Sequence, residues 1–161
     1  MARITRLFFI VAIILTFLMR IHLAITRGFD PDEFSYLHWA WLVSRGYLPY
    51  RDFFFYITPV FPWLLTPILW LTGDSINFLI VSRVLMFVVF GACAGLVYKL
   101  TTSLLAVLIF LTFPVTLDKT IDIRPDMMML VLYFASALVR NPLLSGMLFG
   151  ISFLMLPKII F

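Results

Sequence analysis

Read from the N-terminus, apolar and polar positions separate into long blocks instead of alternating. After the basic start MARITR, the stretch from Leu7 runs apolar past Arg20 and His22 to Ile25, with no small-x-small cleavage site behind it. This pattern predicts an uncleaved first span over 6–25, because about 20 residues at ~1.5 Å rise match a hydrocarbon core of roughly 30 Å. Further apolar runs at 76–98, 103–118, 126–140 and 143–160 predict four more helices. They are separated by Lys99-Leu-Thr-Thr, by DKTIDIRP and by Arg140-Asn-Pro.

The region between the first and second runs is of another kind. Residues 26–58 mix aromatics with charges, and all four Trp (39, 41, 63 and 70) fall between 36 and 70 with four of the six Tyr. Amphipathic rings prefer headgroup depth, so this region belongs at a water interface. Within it, Asp30 is placed as an N-cap, Pro31 as the first helical residue and Glu33 as the third. Phe34, Leu37 and Trp41 follow at helical spacing, predicting an interfacial helix over about 33–45, closed by Gly46. Segment 53–72 is apolar enough to span, but Pro59, Pro62 and Pro67 each remove a backbone donor that lipid cannot replace. It is expected to be a broken juxtamembrane element.

Composition turns these runs into a solvent assignment. The 161 residues are 63% hydrophobic and only 12% charged, and the mean hydropathy is +1.10. A water-soluble domain of this size cannot bury that much apolar surface, so the fold expected is an all-α polytopic membrane protein with about five transmembrane helices plus interfacial juxtamembrane helices. Residues 1–161 form one module: the 6–25 span, an external loop with juxtamembrane helices over 26–72, and a helical bundle over 76–161. The net charge of +4 is spread along the chain without a basic stripe, which excludes nucleic-acid binding. The single Cys93 excludes an internal disulfide.

Charge placement is more informative than net charge. Seven of the eight acids lie in two loops, Asp30, Asp32, Glu33 and Asp52 in one and Asp118, Asp122 and Asp126 in the other. The two loops can share one polar site only on the same membrane face, which requires an even number of spans between them. If 53–72 does not cross, that parity holds. The distribution of Lys and Arg runs against placing these loops outside, with Arg3, Arg6, Lys99 and Arg140 inside against six cations outside.

The stretch from DPDE through GYLPYRD into the Pro-interrupted 53–72 segment, followed by IRPDMMMLVLYFASALVR and LMLPKIIF, resembles the N-terminal part of GT-C superfamily membrane glycosyltransferases. The similarity is to the protein O-mannosyltransferase and aminoarabinose-transferase group. There an Asp-Glu pair follows the first span, a G-x-x-P-Y-x-D turn comes later, and an R-P-D run opens a further helix. The resemblance implies a cell-envelope enzyme in the cytoplasmic membrane, its site facing outward, that transfers a sugar from a polyisoprenyl-phosphate lipid to an unspecified acceptor. It further implies catalytic carboxylates at Asp32, Glu33 and Asp126, and substrate binding at Tyr50, Arg51, Asp52, Arg124 and Lys158. Some GT-C enzymes hold a divalent cation between such acids.

The chemistry asks for these residue types. Substitution at an anomeric carbon needs a base for the acceptor hydroxyl, for which Asp32 is the candidate, and cations to neutralise the departing lipid phosphate. Arg forks match phosphate oxygens, and Lys supplies a point charge. Each residue also has a plainer explanation. Asp32 and Asp126 both follow a proline at a helix start and complement the helix dipole there; the interfacial cations are placed to snorkel. Arg83 stands out as a charge inside an apolar run. His22 and His38 lack a second ligand at helical spacing and carry no metal reading. Enzymes of this group are several times longer, so the chain is expected to be incomplete. The competing reading is a small non-catalytic membrane protein, an assembly or lipid-handling subunit derived from such an enzyme.

Overall fold

A computed structural model describes residues 2–157, the side chains at 2, 115, 117 and 118 excepted. Among the described residues all regular structure is helical: α1 (Ala2–Thr26), α2 (Pro31–Ser44), α3 (Val60–Thr72), α4 (Ile76–Thr101), α5 (Leu104–Thr112), α6 (Pro114–Lys119), α7 (Pro125–Leu138) and α8 (Pro142–Met155). Two of them, α1 and α4, are long and apolar enough to cross a membrane. The helix starts follow local signals. Asp30, Ser75, Ser103 and Asn141 each cap their helix with a side-chain oxygen, and proline is the first residue of α2, α6, α7 and α8.

α1 and α4 run antiparallel. Phe17 packs on Phe87 and Phe90, while Arg83 of α4 reaches back to the Ala24 carbonyl near the end of α1. α5 completes this group around Phe90, Cys93, Val97, Val107 and Leu111, with Met127 of α7. A second core joins α2, α3, α4, α7 and α8 through Tyr36, Phe61, Leu65, Phe78, Met86, Met129 and Met155. α7 and α8 form a hairpin in which Ser145 Oγ donates to Ser136 O at 2.8 Å and Ser152 Oγ to Met129 O at 2.9 Å. The outer face of α1 leaves Ile4, Leu7, Phe8, Leu15 and Leu18 exposed, a surface that water disfavours.

Several expected elements differ from those observed. The interfacial helix begins at Pro31 and ends at Ser44, with Gly46 beyond it at φ +87°. Segment 53–72 is not one helix, since 53–59 is not helical and the 13 residues of α3 reach only about 20 Å; of its three prolines only Pro59 falls at a boundary, and Pro62 and Pro67 lie inside α3 without interrupting it. The run at 103–118 is not one helix. Pro114 brings no N–H to the ladder and disfavours helical geometry at Phe113, so α5 stops at Thr112 and α6 starts anew. The opening left in the last turn of α5 is filled by Arg20 of α1, only 1% exposed, which donates to Leu111 O at 2.5 Å and Thr116 O at 2.9 Å. It also pairs with the Thr120 hydroxyl, and its guanidinium lies 4.2 Å over the Phe90 ring. α7 and α8 are shorter than the 126–140 and 143–160 runs. Asn141 and Pro142 restart the chain as α8, and Pro157 holds Leu156 extended.

Candidate functional site

The site is built from the α1–α2 link, the first turn of α2, Arg83 of α4, and residues 119–126. Its centre is structural. Asp30 Oδ1 accepts from Asp32 N at 2.9 Å, and Asp30 N donates to Glu33 Oε2 at 2.9 Å, a reciprocal cap that fixes the start of α2. The same Glu33 carboxylate, fully buried, takes Arg83 Nε at 2.8 Å, Arg83 Nη2 at 2.6 Å and Ile123 N at 3.1 Å. Arg83 spends its other protons on Ala24 O at 3.1 Å and Gly28 O at 3.2 Å, and its plane covers Phe29 at 4.0 Å. One ion pair thus ties the end of α1, the start of α2, the first half of α4 and the loop before α7. With four hydrogen bonds on two buried oxygens, Glu33 has no lone pair left for a substrate proton. Among the expected carboxylates, Glu33 is the one fully engaged in holding these segments together.

Asp32, one residue earlier, faces the other way. Its side chain is 49% exposed and pairs closely with Arg124 Nη1. Arg124 Nε lies 3.3 Å from Asp126 Oδ2, and the side chains of Arg124 and Asp126 are 18% and 28% exposed. Arg124 therefore bridges an acid of one loop to an acid of the other. Burial pulls the Arg124 guanidinium down, but the carboxylates of Asp126 and Asp32 outweigh it and its pKa is raised. Tyr36, buried beneath, has its phenol pushed up by burial, with Tyr56 adding to the effect and Arg124 opposing it.

A third layer joins the two. Lys119 Nζ is 3.4 Å from Asp30 Oδ2 and 3.9 Å from Asp122 Oδ2, and Arg27 Nη1 is 3.6 Å from Asp122 Oδ1. The Asp32 backbone N–H, more than any other group, holds the Asp30 carboxyl below its usual range, and Lys119 adds to this against a smaller opposing effect of burial. Asp122 is the reverse case. Its side chain is wholly buried with no hydrogen bond to either oxygen, and burial pushes its pKa up despite Arg27.

Tyr50, Arg51 and Asp52 form a separate turn. Leu48 N donates to Asp52 Oδ2 at 2.7 Å, Arg51 binds the same carboxylate at 2.8 Å, and the Tyr50 hydroxyl donates to Ile57 O. Arg51 and the Leu48 N–H hold Asp52 down at about 2. Tyr50 sits at φ +68°, in the left-handed region where the tight turn needs it. These contacts join the turn to itself and not to Arg124. Lys158 lies outside the described residues, as does the Asp118 side chain.

The structure thus brings Asp32, Glu33, Arg124 and Asp126 together and adds Arg27, Arg83, Lys119 and Asp122. Arg83 alone had a warning in the sequence, a charge that an apolar run must neutralise. Nothing local marked its partner, 50 residues away. Among the described residues no three His, Cys, Asp or Glu side chains converge on a cation position. The carboxylates already face Arg or Lys, so this donor set does not fit a divalent ion. Comparison with known proteins returns no matching family model, no matching characterised protein and no matching solved structure.

Proposed function

We propose that the chain is the N-terminal module of a GT-C-type membrane glycosyltransferase, with about five crossings, acting on a polyisoprenyl-phosphate sugar at the extracytoplasmic face. α1 and α4 meet the length requirement alone. The other crossings are the α5–α6 pair and the α7–α8 hairpin; 14 residues in each of α7 and α8 reach about 21 Å and need their flanks. The observation that carries the reading is the half-exposed Asp32 carboxylate held against Arg124 and Asp126 at one end of an apolar bundle.

In this reading Asp32 accepts the proton of the acceptor hydroxyl as its oxygen bonds to the anomeric carbon. The bond from that carbon to the phosphate oxygen breaks, and the electron pair leaves with the lipid phosphate. Arg124 has the fork geometry to receive that phosphate, exchanging a carboxylate partner for it. Asp126 holds the guanidinium from the other side. Glu33 and Arg83 keep the two loops in register.

The test is turnover of a radiolabelled polyisoprenyl-phosphate sugar in membranes carrying the protein. Asp32→Asn removes ionisation while keeping a polar side chain at the helix start, and is expected to lower transfer at least about a hundredfold. Asp30→Asn, which retains the cap, is expected to be tolerated. Arg124→Met is expected to weaken donor binding. Equal turnover by wild type and Asp32→Asn would remove Asp32 from the mechanism.

A further inference from the structure

α2 and α3 end beside one another, and each is followed at once by a charged residue. Arg45 caps α2 just beyond Ser44, and Asp74 follows Gly73, whose φ of +68° turns the chain out of α3 toward α4. Arg45 Nη2 meets Asp74 Oδ2 at 2.5 Å, with the two side chains 54% and 51% exposed. Asp74 forms part of the wall of two hollows. One, of about 560 Å³, is lined by Phe34, His38, Trp41 and Ile76; the other, of about 300 Å³, by Arg45 and the exposed Trp70. The ion pair therefore stands between a largely apolar hollow and a smaller one beside an indole.

Neither charge depends on the other. Arg45 lies at the C-terminus of α2 and Asp74 just ahead of the Ser75 cap of α4, so each complements a helix dipole, and a half-exposed pair contributes little stability. Both partners can therefore be exchanged. The exchange that keeps both charges satisfied needs one molecule carrying an anion and a cation a few bonds apart. A phosphate suits the Arg45 fork, and a primary ammonium suits the Asp74 carboxylate because it brings N–H donors. A quaternary ammonium brings none, and Trp41, the indole in the larger hollow, already has the Arg45 guanidinium 5.4 Å over its ring and His38 stacked at 5.9 Å. A purely anionic head leaves Asp74 without a partner.

We propose that these hollows seat the headgroup of phosphatidylethanolamine, its ammonium on Asp74 and its phosphate on Arg45. Phe34 and Ile76, 54% and 63% exposed, give the acyl chains an apolar wall to leave by. A free zwitterion carries the same two charges but has no use for that wall. Trp41 and Trp70 mark headgroup depth, where such a lipid presents its phosphate. The proposal needs α1 and α4 in a bilayer, for which both are long and apolar enough, and it does not need sugar transfer. Asp74 is the one acid outside the two acid-bearing loops, and the bound lipid gives it a role apart from Asp32: it fastens the paired ends of α2 and α3 to the leaflet in which α4 begins.

The experiment uses the purified chain in phosphatidylcholine nanodiscs and two photoactivatable lipids that differ only in an ethanolamine or a choline head, with labelled peptides mapped by mass spectrometry. The ethanolamine probe is expected to label 34–45 and 70–78 at least about fivefold more than the choline probe, the scale of one added charge contact at a membrane surface. Asp74→Asn, which keeps the shape of the side chain, should erase that ratio. Arg45→Gln should lower labelling by both probes. Arg140→Gln, beyond the far end of α7, should change neither. Unlabelled phosphatidylethanolamine in the disc should displace the probe, whereas phosphatidylglycerol or free phosphoethanolamine should not. Equal labelling by the two probes, a ratio that survives in Asp74→Asn, or displacement by phosphatidylglycerol or by phosphoethanolamine alone overturns the proposal. Sugar transfer is no part of the readout, so a protein that transfers no sugar but keeps the ratio supports the lipid site and retires only the transferase reading.

Discussion

Two carboxylates one peptide bond apart meet opposite surroundings. Glu33 points under α2 into the packing of α1, α4 and the 119–124 loop and carries four hydrogen bonds, whereas Asp32 points outward, half exposed, with Arg124 as its partner. Successive residues on a helix project about 100° apart, so a helix lying on a charged seam presents one acid to the core and the next to solvent. The difference separates two roles that a sequence pattern treats as one. A saturated buried carboxylate stabilises by what it connects; a partly exposed one paired with a single arginine keeps lone pairs that can take a proton.

The comparison is sharpened most by removing the buried member. Glu33→Ala leaves the Arg83 charge uncompensated in an apolar run, with a predicted cost of about 3–5 kcal/mol, seen as loss of monodisperse protein and a lowered unfolding midpoint in detergent. Arg83→Met is expected to cost a similar amount, and the double variant less than the two single losses together, because the two residues share one interaction. A Glu33→Ala protein as stable as wild type would break the distinction between the two carboxylates.

Asp122 tests the same boundary from the buried side. A carboxylate whose folded pKa lies above its unfolded value favours folding in its protonated form. Stability from this group is therefore full below the usual carboxylate range, falls as pH rises through the raised folded value, and is flat above it. Asp122→Asn is predicted to remove that fall, on the order of 1–3 kcal/mol, the cost of a buried polar group without hydrogen bonds. Denaturant titrations of both proteins at several pH values measure it. Because Asp30 and Asp52, with lowered pKa values, act in the opposite sense, only the difference between variant and wild type is diagnostic.

Asp32→Asn is predicted to have the smallest effect on stability, within about 1 kcal/mol, since half-exposed ion pairs contribute little and Asn is tolerated at a helix start. Its large effect is expected on turnover alone. A melting point that drops as far as that of Glu33→Ala would return Asp32 to a purely structural role.

How much of this was legible along the chain depends on the range of the forces involved. The start of α2 was readable from Asp30, Pro31 and Glu33, and those of α7 and α8 from Arg124-Pro125 and Asn141-Pro142, because caps and prolines act within one helical turn. The long helices α1 and α4 were readable because apolar length is a local property. The proline that divides α5 from α6 was just as visible, yet the apolar run around it read as one span.

The partners belonged to the tertiary structure. Glu33 and Arg83 are 50 residues apart, Arg20 and Leu111 91, and Asp32 and Arg124 92. Each pairing depends on which faces of which helices meet after packing. A buried charge dictates that a partner must exist, since leaving it bare costs several kcal/mol, about as much as the whole net stability of a small domain. Which partner it finds follows from the course of the backbone. The residue types along this chain determined a helical, largely apolar protein with acids gathered in two loops; only the fold decided that Glu33 locks the loops together and that Asp32 is left at their edge.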